Sequence, residues 1–163
     1  MTQAVAVRRA SAADLPDVVA LRLALIAEYR EHPLFRDLRP DFEARARAFF
    51  GEQLGSAQEV MFLAERGGVL AGILRCVDTA ASPLLMPARY CYVSSAYVRP
   101  EHRRAGVLRA LMKHARAWCA ERGLSEMRLH TATGASTAAA TWSALGFDVV
   151  EEVRRLALSP ERR

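Results

Sequence analysis

The stretch EVMFLAERGGVLAGILRCVD, Glu59 to Asp78, constrains the fold more than any other part of the chain. Two apolar, β-branched runs flank Gly67 and Gly68, and paired glycines readily adopt the positive φ of a tight two-residue turn. An antiparallel hairpin is therefore predicted. ARYCYVSSAYV, rich in tyrosine and valine, predicts a third long strand over roughly residues 89 to 98, and AVAVRR a first strand over roughly 3 to 9.

Helical signals surround these strands. Ser11 to Asp14 has the form of an N-cap with an acid three residues on, and Leu15, Val18, Val19, Leu21, Leu25 and Ile26 then recur at helical spacing. This predicts a first helix to about Arg30. EHPLFRDLRP, with two prolines, breaks it, and DFEARARAFFGEQL predicts a second helix ending near Gly55. The stretch between the two helices is placed to fold over a substrate. Further on, Val107, Leu108, Leu111, Met112, Ala115, Trp118 and Cys119 mark one face of a helix, with Arg109, Lys113, Arg116 and Arg122 opposite and Gly123 as its stop. SEMRLHTA follows as a strand, and a strand reached through a packed helix is most simply parallel to its neighbour. STAAATWSALGF predicts a short helix closed by Gly146, and VVEEVRRLALS a final strand or tight hairpin. The fold class is α/β of the α+β kind: a mixed, mostly antiparallel central sheet flanked by helices, with one parallel pair.

A chain of 163 residues suits one domain, taken here as residues 1–163, and its 52% apolar and 25% charged content is that of a folded protein. No run of about 18 apolar residues suggests a membrane span, and the start lacks the apolar middle of a secretion signal. A cytoplasmic protein with no membrane partner is expected. Cys76, Cys91 and Cys119 lack the short spacings of thiolate metal sites, and the four histidines form no HExxH pair, so no metal is expected. The net charge of +5 admits an anionic partner. Aromatic residues are not interleaved with the arginines as on a single-strand-binding surface, so nucleic acid is not the expected partner.

VRPEHRRAGVLRAL, Val98 to Leu111, places arginines and a glycine where strand gives way to helix. A helix N-terminus offers unpaired N–H groups and partial positive charge, so main chain can hold a phosphate there. Gly106 permits close approach, and Arg103 and Arg104 add charge. The stretch is neither GxxxxGK[ST] nor a three-glycine dinucleotide fingerprint.

In context, the chain resembles the GNAT superfamily of acyl-CoA-dependent N-acyltransferases. Val98-Arg99-Pro100 followed by Arg103-Arg104-Ala105-Gly106-Val107-Leu108 is similar to the family's V-x-P strand end and R/Q-x-x-G-x-G/A loop. VRRASAADLPDV looks like its opening strand and helix, and STAAATWSALGF like its last helix. The resemblance implies an acetyl-CoA-dependent enzyme that acetylates a primary amine on a small molecule or peptide, and it makes a homodimer a mild expectation. It also implies that main-chain amides from about Arg104 to Leu108 cradle the pyrophosphate, with Arg103 and Arg104 near phosphate oxygens. The strand from Tyr97 through Val98 to Arg99 would meet the pantetheine arm where it splays from the strand around Leu129.

Three positions depart from the pattern. Leu108 stands for Gly or Ala, though its N–H remains available. Trp142, which the resemblance would place beside the cosubstrate, stands where many members carry a tyrosine acid, and an indole is no acid at neutral pH. Ser94 and Ser95 stand where many carry an acidic strand residue. The candidates to take over proton transfer are Glu28, His130 and Tyr97, with Tyr92 as a second tyrosine; solvated glutamate and packed strand residues are the ordinary alternatives. The missing acid and base also motivate a second hypothesis, an acyl-CoA-binding regulatory or sensor module without turnover.

Overall fold

The computed structural model describes residues 4–134 and 136–158. Five strands form one sheet in the order β1-β2-β3-β4-β5: Val5–Arg9 (β1), Glu59–Arg66 (β2), Val69–Ala80 (β3), Arg89–Val98 (β4) and Met127–Arg128 (β5). The first four pair antiparallel, and β5 runs parallel to β4. The hairpin turns at Gly67 and Gly68, with φ of 62° and 77°, values that side chains with a Cβ rarely adopt. Residue 3, expected at the start of β1, lies outside the described residues.

Side chains alternate across the strands, so each face acquires its own cover. Met61, Leu63, Ile73 and Tyr97 pack with Val18, Val19 and Leu21 of Leu15–Glu28 (α1) and with Ala46 and Phe50 of Phe42–Leu54 (α2). Val107–Glu121 (α3) packs on β1 to β4, burying Val107, Leu111, Met112, Ala115, Trp118 and Cys119. The predicted apolar face of this helix is its buried face, except that Leu108 is only half-buried.

The three cysteines, far apart in sequence, meet beneath α3. Cys91 lies next to both Cys76 and Cys119, and all three are buried and free. The contact with Cys119 lowers the Cys91 pKa, while the contact with Cys76 and burial raise it, leaving it at about 12. Cys119 is raised by its contact with Cys91 and then by burial. Both thiols stay protonated at neutral pH, the inert form.

Asp78 ties the base of the β3–β4 hairpin to the end of α3. Its side chain is 1% exposed, accepting from Arg89 Nε at 2.8 Å and from Arg122 Nε at 3.1 Å. Arg122 also donates to the Ala57 carbonyl and lies over the Trp118 ring, 4.9 Å from its centroid. Asp78→Ala is expected to cost about 2 kcal/mol in a urea titration, below the roughly 3–5 of a fully buried pair because both guanidinium groups reach solvent. A midpoint unchanged from the parent would remove Asp78 from this role.

Residues 131–163 form a second compact unit, separate from residues 1–130. Its helix is Ser136–Ala144 (α4), and Gly146 follows at φ 94°. The strand or hairpin expected after it is absent: residues 147–158 carry no helix or strand. Val149, Val150, Val153, Leu156 and Leu158 are exposed there, so no buried face or ladder compensates the entropy of ordering a strand. The strand expected in SEMRLHTA is likewise reduced to Met127–Arg128, the residues that find partners on β4.

Candidate functional site

The site begins with an irregularity in β4. Ile73 pairs with Tyr97 and Arg75 with Ser94, so two residues, Ser95 and Ala96, face Leu74 alone. Such a bulge bends its strand, and Ser95 takes the strain at φ 51°. On the other side β5 pairs only with Cys91 and Tyr92. Beyond Val93 this edge of β4 has no strand partner among the described residues. The Arg99 amide donates to the Ala71 carbonyl on β3 at 2.9 Å, which turns the N–H and C=O of Val98 to the open edge.

After Val98 the chain makes a short 3₁₀ turn, Pro100–His102, and swings into α3 through Arg104 at φ 61° and Gly106 at φ 82°. Among the described residues, no hydrogen bond is donated by the main-chain N–H groups of Arg104 through Arg109; the first is from Ala110 to the Gly106 carbonyl at 3.0 Å. Six consecutive amides at a helix mouth, beside left-handed backbone, form a concave cluster of donors suited to phosphate oxygens. Gly72 permits this arrangement. A Cβ there would lie 2.7 Å from the Tyr97 carbonyl and 3.2 Å from Val107 Cγ1, so glycine lets the start of α3 sit close against β3 and β4.

The predicted side chains fall into separate groups. Arg103 turns back, donating from Nε to the Val98 carbonyl at 2.9 Å and from Nη2 to Glu28 Oε1 at 2.5 Å, with its guanidinium 5.8 Å from the centre of the Tyr97 ring. Burial, and then the nearby Glu28 carboxylate, raise the Tyr97 pKa, so its hydroxyl stays protonated. Arg104 is exposed and Arg99 half-buried. Further along β4, Tyr92 Oη lies 2.9 Å from His130 Nδ1, the rings meeting edge to face. Burial raises the Tyr92 pKa while Arg75 opposes it. Trp142 belongs to the second unit, where it packs edge-on against Phe147 at 5.5 Å.

Sequence reasoning did not single out Gly72, the bulge or a polar row beneath α1 and α2. In that row Arg75 binds Glu59 and donates to Ser94 Oγ at 3.0 Å, while Arg22 binds Gln53 and lies 3.7 Å over the centre of the Phe50 ring. Burial, then the Arg75 charge, lowers the Arg22 pKa to about 9 against the pull of Glu59. The small residues in YVSSAY were the available signal for the bulge. Nothing local marked Gly72, whose constraint comes from the Tyr97 carbonyl on the neighbouring strand and from Val107 at the start of α3.

The sequence matches the Acetyltransferase (GNAT) family over residues 23–147. The chain belongs to the GNAT acetyltransferase family. It is thus an acyltransferase by family. A search of curated proteins gave no match. Among solved structures the GNAT fold is shared with a predicted acetyltransferase with acetyl-CoA from Clostridium acetobutylicum, at 16% identity and TM-score 0.76, covering 94% of this chain and 96% of that one. It is shared too with the aminoglycoside antibiotic 6'-N-acetyltransferase AAC(6')-Ih from Acinetobacter baumannii, at 19% identity and TM-score 0.76, covering 96% and 99%. Aminoglycoside N-acetyltransferase AAC(6')-Iy in complex with CoA matches at 21% identity and TM-score 0.73, covering 99% and 97%. Among the described residues of this GNAT chain, no helix is long and apolar enough to cross a membrane, and no cluster of His, Cys, Asp or Glu is placed to hold a metal ion.

Proposed function

We propose that this chain transfers an acetyl group from acetyl-CoA directly to a primary amine, and that residues 1–163 act together as one acetyltransferase domain. The family match supports the second point, since it crosses the boundary between the two units at residues 130 and 131. The observation that carries the first is the run of six main-chain N–H groups, Arg104 to Arg109, without acceptors among the described residues and next to an open strand edge. Coenzyme A has the matching chemistry: a pyrophosphate for the helix mouth and an arm with two amides for the edge. Its thioester supplies an activated acetyl group.

The amides of Arg104, Ala105, Gly106, Val107 and Leu108 would hold the phosphates, and the exposed Arg104 guanidinium would add charge beside them. The main chain of Tyr97, Val98 and Arg99, with the open edge back to Val93, would orient the arm, and fixing both reactants supplies much of an enzyme's rate. Proton transfer is assigned to His130. With Nδ1 donating to Tyr92 Oη, its Nε2 keeps a lone pair that can take the proton of an incoming ammonium, and Tyr92 fixes the ring. The neighbouring structures named for aminoglycosides make small polyamines and aminoglycosides the first acceptors to try. Three buried, unpaired thiols suit a reducing compartment, so the cytoplasm is the proposed location.

Calorimetry with coenzyme A, followed by thiol release from acetyl-CoA across a panel of amines, tests the reading. His130→Gln is expected to bind coenzyme A as the parent does and to slow transfer roughly 10²-fold or more. Absence of heat with the parent protein would overturn the coenzyme A reading. Binding without thiol release from any amine would favour the sensor module instead.

A further inference from the structure

One arginine joins three parts of the first unit. Arg103, on the approach to α3, bonds at once to the Val98 carbonyl on the open edge of β4 and to the carboxylate of Glu28, the last residue of α1. Glu28 and Arg103 are 75 residues apart, so this is a tertiary contact rather than a by-product of local chain geometry. The Val98 carbonyl faces away from β3, and Val98 is the last residue of β4 before the turn into α3. A guanidinium lying on it obstructs an amide N–H that approaches along the same edge. We infer that Arg103 and Glu28 form a latch across the β4 edge, which coenzyme A must open to seat its amide arm.

The inference rests on the coenzyme A reading of the site and adds a regulation to it. The latch is suited to opening. Its side chains are 44% and 38% exposed, and ion pairs so exposed to water hold weakly. Opening it releases the Glu28 carboxylate at the end of α1 and the Arg103 guanidinium beside the phosphate cradle. Closed, it covers the edge and neutralises one of the positive charges near the helix mouth. Charged groups acting around Tyr97 at this point are Glu28, Arg103, Arg99 and Glu101, so the latch carboxylate must be distinguished from mere negative charge.

A double-mutant cycle read by calorimetry with coenzyme A makes the distinction. Glu28→Gln keeps the side-chain shape and breaks the ion pair, and it is expected to tighten coenzyme A binding roughly two- to fivefold, the range set by an exposed pair. Glu101→Gln removes the same charge nearby without touching Arg103, and is expected to have a smaller effect. In an Arg103→Gln background, Glu28→Gln is expected to change affinity little. A latch is refuted if Glu28→Gln does not tighten binding, if Glu101→Gln matches it, or if its effect persists without Arg103. No binding by the parent or any variant would refute the coenzyme A reading and the latch with it; binding by the parent without coupling refutes the latch alone.

Discussion

Gly106→Glu is expected to abolish measurable coenzyme A binding, lowering affinity at least about a hundredfold, because a like charge set against an anionic ligand costs several kcal/mol. The geometry separates this from a folding defect. A Cβ at Gly106 meets nothing within 4 Å, so the side chain has room. The φ of 82° adds roughly 1 kcal/mol or more of strain for any side chain, a modest part of a domain's stability. The glutamate carboxylate would lie at the mouth of α3, competing for the amides that stand ready for phosphate. Gly106→Ala, with the strain and without the charge, is the control, expected to bind within about tenfold of the parent. Calorimetry on both variants, with circular dichroism to confirm folding, checks the expectation. Comparable affinity for the glutamate variant and the parent would place the phosphates elsewhere.

Gly72→Val is expected to destabilise the protein by about 3 kcal/mol, near the upper end of ordinary overpacking. The first added carbon would be 2.7 Å from a main-chain oxygen, Tyr97 O, which cannot rotate away as a side chain can. Either β4 or the start of α3 must move. Both carry the proposed site, so affinity for coenzyme A is expected to fall alongside the denaturation midpoint. An unchanged midpoint in urea would mean that the contact relaxes freely and that Gly72 does not hold α3 against the sheet.

The same two glycines illustrate what was readable in advance. Gly106 announced itself through its neighbours: arginines before it and an amphipathic helix after it. Gly72 looked like any small residue in an apolar strand. The latch was equally hidden, since Arg103 was expected to face phosphate and Glu28 to act as a base, and only the folded chain places one on the other. The thiols provide a third case, distant and unrelated in sequence yet brought together, free and buried, in the core.

Local chemistry sufficed for the hairpin at Gly67 and Gly68, the apolar face of α3 and the Ser11–Asp14 turn that leads into α1, where the Ser11 amide donates to the Asp14 carboxylate, because each depends on residues a few positions apart. It misjudged the ends of the sheet. The apolar alternation after Gly146 has the pattern of a strand, but a strand exists only where another offers it a ladder, and residues 147–158 have none among the described residues. The bulge in β4, the shortness of β5 and the resulting open edge were likewise decided by tertiary structure. Periodicity along the chain specifies which face of an element is apolar. Which backbone groups remain unpaired depends on where neighbouring strands part, and that is settled only when the whole sheet has closed around its core.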